Sequence, residues 1–110
     1  MCENITKSLA LFCDARDWSQ FHDPRNLALA ISLEAAELNE VFLWKKDDKL
    51  DAESEARVRE ELADVFAYAF LLAGRMGFDV EEIVMEKIRK NELKYPVEKA
   101  KGTAAKYDKL

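Results

Sequence analysis

A chain of 110 residues, 49% hydrophobic and 35% charged, has room for one domain and is too apolar to be a disordered segment. Its net charge of −5 argues against an extended nucleic-acid surface, which needs a basic face, yet leaves room for a small phosphorylated ligand held through a cation. Cys2 and Cys13 form no Cys-x-x-Cys pair, no basic stretch leads into an apolar one at the start, and the apolar run Val65–Ala73 falls far short of the roughly 20 residues that span a bilayer, so a reduced, cytoplasmic protein without membrane partners is expected.

With three glycines, two prolines and no strand-like alternation, helical periodicity dominates. A first helix is predicted over about Ile5–Trp18, with Leu9, Phe12 and Cys13 on one side. The chain turns at Ser19–His22, and Asp23-Pro24 opens a second helix as N-cap and first helical residue, continuing to about Trp44. Lys45–Glu53 reads as a charged loop. A third helix runs from near Ala52 to Met76 and stops at Gly77. Asp79 with Glu82 resembles a capping box and opens a fourth helix that ends before Pro96. Residues 97–110 are basic and weakly periodic, and an extended arm is expected there. The resulting picture is an all-α, four-helix bundle-like single domain over residues 1–110. A chain this short buries a modest core, so its apolar helices are expected to be covered in a homo-oligomer.

Four acids stand in places where the helical pattern calls for apolar residues. On the second helix, with Leu27 at zero and about 100° per residue, Ile31, Leu38, Val41 and Phe42 cluster around Leu27. Glu34 falls within that stripe and Glu37 at its edge, whereas Ser32, Asn39 and Glu40 occupy the solvated arc. The third helix is apolar nearly all round from Leu62 to Ala73, which marks it as buried on most sides, and Asp64 is the single charge inside that run. Glu61 lies one turn earlier on nearly the same face. The i, i+3 spacing sets the carboxylates of Glu34/Glu37 and of Glu61/Asp64 about one turn apart, so two such helices side by side converge all four. Buried carboxylates require arginine or lysine partners (Arg57, Arg59 and Arg75 are candidates), shared protons, or a bound cation. An all-oxygen set suits Mg²⁺, with Mn²⁺ as a substitute, rather than zinc.

At these positions the sequence resembles a known family. Leu33-Glu34-Ala35-Ala36-Glu37-Leu38 and Glu60-Glu61-Leu62-Ala63-Asp64-Val65 are similar to the ExxE…ExxD signature of the MazG-like all-α nucleoside triphosphate pyrophosphohydrolases. The segment Arg16-Asp17-Trp18-Ser19-Gln20-Phe21-His22-Asp23-Pro24-Arg25-Asn26-Leu27, the run Val41-Phe42-Leu43-Trp44 and the segment from Lys87 through Asn91 and Lys94-Tyr95-Pro96 resemble the dCTP pyrophosphatase branch. The resemblance covers nearly the whole chain. It implies Mg²⁺-dependent hydrolysis of a (deoxy)nucleoside triphosphate to monophosphate and pyrophosphate, with a role in clearing excess or aberrant dNTPs.

The same resemblance implies the site. Glu34, Glu37, Glu61 and Asp64 are the expected metal ligands, with Glu37 or Glu34 as general base activating a water for attack on the α-phosphorus. Lys87, Asn91, Lys94 and Tyr95 are the expected phosphate contacts; for Lys101, Lys106 and Tyr107 in the tail two readings stand, a cover over bound phosphates and a flexible solvated arm. Trp18, His22 and Trp44 are expected to shape the base pocket, with Tyr68 on the sugar side. A dimer or a dimer of dimers is the implied assembly. A ferritin-like di-iron bundle is disfavoured because His22, the single histidine, does not follow a glutamate by three. The remaining alternative is a non-catalytic helical oligomeric interaction module with a structural cation or ion-pair cluster.

Overall fold

Three aspartates set where the long helices begin. Asp23 accepts a hydrogen bond from the Asn26 N–H at 2.7 Å, Asp51 from Ser54 at 2.7 Å, and Asp79 from Glu82 at 2.9 Å. The computed structural model describes residues 2–45 and 49–110. Four long helices result: α1 (Cys2–Ala15), α2 (Pro24–Val41), α3 (Ala52–Met76) and α4 (Val80–Lys94), followed by a short α5 (Val97–Ala100). Turns of 3₁₀ helix lie at Ser19–Phe21 and Tyr107–Lys109, and there is no strand among the described residues. The all-α fold expected from the sequence is the fold observed, and part of the charged loop between α2 and α3 (residues 46–48) lies outside the described residues.

The helix ends correct the sequence reading in three places. Helix α1 stops at Ala15 rather than Trp18, because Trp18 donates to the Cys13 carbonyl at 3.0 Å and Asp17 to Asp14 at 3.1 Å. That pattern is a Schellman closure, with Asp17 (φ 55°) in the left-handed position usually given to glycine. The Gln20 amide holds it there, donating to the Asp17 carbonyl at 2.9 Å and to its carboxylate at 3.0 Å. Helix α2 stops at Val41 rather than Trp44: Phe42 and Leu43 donate to carbonyls three residues back, and Trp44 is left-handed at φ 65°. The tail expected as an extended arm carries α5 and the turn Tyr107–Lys109. Helix α3 ends as anticipated, at Gly77 with φ 72°.

The contacts divide the chain into two compact units, Met1–Gly77 and Phe78–Leu110. In the first, α3 packs along α2 and, over a shorter stretch, against α1. Its buried centre is Leu27 (1% exposed), Val41, Cys13 and Ala73. The expectation that α3 is buried on most sides does not hold within one chain. Leu62 and Phe66 are 40% and 56% exposed, and Leu29 and Leu33 on α2 are exposed as well. A helix touched by two neighbours has one covered stripe, and the rest of an all-round apolar surface stays open. Among the described residues no helix is long and apolar enough to cross a membrane.

Leu27 fills the centre of the α2 face, so Leu27→Ala is expected to lower the unfolding free energy by about 2–5 kcal/mol, measured by urea denaturation at constant protein concentration.

Candidate active site

Packing of α2 on α3 gathers the acids that the sequence sets one turn apart. Glu34, Glu61 and Asp64 each offer a carboxylate oxygen, and these three oxygens lie within 4.8 Å of one another. Glu37 adds its carboxyl to the same neighbourhood and raises the pKa of both Glu34 and Glu61. Glu34 and Glu61 are half-buried, and Glu37 and Asp64 are exposed at the rim. The atoms beneath are the telling ones: Glu34 Oε2 and Glu61 Oε2 are fully covered and have no hydrogen-bond partner.

The electrostatics follow from that geometry. Burial, then Glu37, then the charges of Asp64 and Glu61, push the Glu34 carboxyl from 4.5 up to about 7. Glu61 is raised by the same kind of cause, burial first and then Glu37 and Asp64, with Arg57 opposing too weakly to reverse it. Arg75, another candidate partner, lines a separate cavity with Asp14. Two covered carboxylate oxygens without donors, inside an all-oxygen cluster, fit a hard divalent cation such as Mg²⁺ or Mn²⁺ better than a salt-bridge network.

Beside Asp64 a cavity of about 220 Å³ opens between α1 and α3. Asp64, Tyr68 and Leu71 line it from α3, Leu9, Phe12 and Cys13 from α1, and Trp18 and His22 from the connecting turn. Its walls are aromatic edges and faces. His22 meets Tyr68 edge-on at 6.4 Å, and Phe12 meets Trp18 edge-on at 5.5 Å. Arg16 closes the stack from behind, its guanidinium 3.8 Å from the Phe12 ring centre and its Nη1 donating to the Phe12 carbonyl at 3.1 Å. The Asn26 amide donates to the Phe21 carbonyl at 3.4 Å and ties this turn to the start of α2. Burial, then Glu34 and Asp64, push the Tyr68 hydroxyl above its usual range, so it stays a protonated donor facing the acids. Burial also raises the Cys13 thiol, which leaves it an unreactive wall.

The structure thus brings together six of the residues singled out in the sequence, Glu34, Glu61, Asp64, Trp18, His22 and Tyr68, while Glu37 stands outside the three-acid group and acts on it through its charge. Trp44 is not in the cavity lining and is 91% exposed. Lys87, Asn91, Lys94 and Tyr95 belong to the second unit, where Asn91 and Tyr95 are half-buried and the two lysines exposed. Of the lining residues that sequence reasoning did not assign to the site (Leu9, Phe12, Cys13, Ala67 and Leu71), Phe12 is the aromatic one. Its place on the α1 stripe next to Leu9 and Cys13 was legible, but that stripe reads equally well as ordinary core.

A MazG-like family model matches residues 29–110. The chain belongs to the MazG-like family. Among its relatives is dCTP pyrophosphatase 1 of Mus musculus, 41% identical over 98% of this chain and 66% of that protein. The Homo sapiens dCTP pyrophosphatase 1 is 39% identical over the same shares. The chain therefore spans slightly less than two-thirds of the length of these relatives. A pyrophosphatase from Archaeoglobus fulgidus superposes with a TM-score of 0.78 at 38% identity, covering 86% of this chain and 92% of that one. In this MazG-like chain the carboxylate cluster and the aromatic cavity share the α1–α3 unit, with Asp64 common to both.

The raised Glu34 carboxyl makes stability depend on pH in a definite direction. Between its ordinary 4.5 and about 7 the folded chain binds more protons than the unfolded one, so stability falls as pH rises through that window. The metal-free protein is expected to lose melting temperature from about pH 5 to about pH 7.5, and Glu34→Gln to flatten that slope. Added Mg²⁺ or Mn²⁺ is expected to stabilise more at about pH 8 than at about pH 6, because ligation displaces protons. Differential scanning fluorimetry across pH, with and without metal, measures all three.

Proposed function

We propose that this chain is a divalent-metal-dependent nucleoside triphosphate pyrophosphohydrolase. The observation that carries the reading is the pair of covered, partnerless oxygens, Glu34 Oε2 and Glu61 Oε2, in a cluster whose fourth acid, Asp64, also lines an aromatic cavity. The relatives named dCTP pyrophosphatase 1 and the pyrophosphatase of similar fold support the same chemistry. Glu34, Glu37, Glu61 and Asp64 would hold Mg²⁺, or Mn²⁺ in its place. When bound, the cation supplies neutralisation of the phosphate charge and a polarised water.

The remaining work falls to the chain's own side chains. Water oxygen bonds to the α-phosphorus as the bond to the α–β bridging oxygen breaks, and pyrophosphate leaves carrying that oxygen. Glu37 takes the water's proton, since it is exposed at the rim and faces the other acids; Glu34 is the second candidate. Trp18 and His22 stack on the base, and Tyr68 faces the sugar from α3. Lys87, Asn91, Lys94 and Tyr95 contact the phosphates. The substrate is a dNTP, dCTP-like or dATP, in a cytoplasmic role of clearing unwanted dNTPs; the relatives named dCTP pyrophosphatase 1 support the first of these.

The assembly is a homo-oligomer, a dimer or a dimer of dimers. Leu29 and Leu33 on α2, and Leu62 and Phe66 on α3, form exposed apolar pairs one turn apart, and Trp44 adds a ring open to a neighbouring chain. Multi-angle light scattering is expected to report at least twice the 12.6 kDa chain mass; a monomer overturns this part of the reading.

Pyrophosphate release from a panel of canonical and modified dNTPs and NTPs, with Mg²⁺ or with EDTA, tests the chemistry directly. Metal-dependent release with monophosphate as co-product is the expected outcome. Glu34→Gln and Asp64→Asn are each expected to lower kcat/KM on the order of 100-fold or more without loss of metal-free thermal stability, because each removes a repelled charge. A structural ion-pair cluster would instead lose roughly 3–5 kcal/mol on either change. A folded protein that turns over no triphosphate in Mg²⁺ points to the interaction module.

A further inference from the structure

The second unit contains a contact that the reading above does not use. Helix α4 ends at Lys94, an exposed residue whose long side chain would sample many rotamers at a free helix end. Instead, the tail turns back on it. Thr103 donates to the Ala100 carbonyl at 3.1 Å, Gly102 takes the left-handed conformation at φ 79°, and the Ala105 N–H donates to Thr103 Oγ1 at 3.1 Å. The final turn, closed by Lys109 donating to Lys106 at 2.8 Å, then presents the Tyr107 ring. Lys94 Nζ stands 5.0 Å from the centre of that ring, and the Tyr95 ring meets it edge-on at 6.2 Å.

We infer that Tyr107 is a positioning residue for the triphosphate-binding end of α4. Its face holds the Lys94 ammonium by cation–π attraction, and its edge contact with Tyr95 fixes the adjoining ring. Tyr107 engages Lys94 through a ring face, and among the described residues no carboxylate is paired with it, so the ammonium is oriented without being neutralised. Restricting its rotamers before substrate arrives lowers the entropy lost on binding a phosphate. This inference rests on Lys94 being a phosphate contact.

The test uses the full chain with Tyr107→Leu, which removes the ring, Tyr107→Phe, which keeps it, Lys94→Ala and the double variant. Kinetics are read with the best triphosphate in Mg²⁺, and the Lys94 ε-methylene by ¹H–¹³C NMR. Tyr107→Leu is expected to raise KM about 2- to 5-fold with kcat nearly unchanged, the range of an exposed cation–π contact. Tyr107→Phe should restore the wild-type KM, and the double variant should be no worse than Lys94→Ala, because the two residues act as one. In the wild type and in Tyr107→Phe the ε-methylene should be shifted upfield by the ring, and in Tyr107→Leu it should not. An unshifted wild-type methylene, an unchanged KM in Tyr107→Leu, or additive losses in the double variant overturn the inference. A shifted methylene with Lys94→Ala leaving KM unchanged overturns instead the assignment of Lys94 to phosphate.

Discussion

Mutual repulsion among carboxylates at the α2–α3 contact is the constraint around which the first unit is organised. Helix packing normally rewards apolar residues at such positions, and charge there survives only when the surrounding structure holds it in place. The holding elements are visible: the Asp23 and Asp51 caps fix where α2 and α3 begin, and Leu27, Val41 and Ala73 lock the two helices together. One oxygen of Glu34 and one of Glu61 are left covered and without a donor, and the Glu34 carboxyl is raised to about 7. A divalent cation at this cluster, as proposed above, would remove the conflict by neutralising the carboxylates.

The cavity beside Asp64 is held in shape by the same kind of constraint. Its aromatic walls are fixed by small polar devices outside the cavity: the left-handed Asp17 held by Gln20, the Asn26 tie to Phe21, and Arg16 stacked behind Phe12. These keep Trp18 and His22 facing α3 although both lie in a connecting turn, the kind of segment that is ordinarily mobile. The apolar lining also strengthens the fields of the neighbouring acids by excluding water, as the raised Tyr68 hydroxyl registers.

The sequence by itself determined the helices and the acid pairs. Aspartate caps, Pro24 and Gly77 act within one turn of themselves, and 3.6-residue periodicity places Glu34 with Glu37 and Glu61 with Asp64 regardless of what the helices touch. The errors at Trp18 and Trp44 share a local cause of another kind: non-glycine residues, Asp17 and Trp44, took left-handed conformations that composition does not announce. What only the tertiary structure decided was convergence. Whether the two acid pairs meet, which oxygens lose water, that Phe12 is cavity wall, and that Tyr107 returns to Lys94 all depend on helix rotation and on contacts between residues distant in sequence. Such contacts have no periodic signature, because the packing that creates them is a property of pairs of surfaces and not of any one segment.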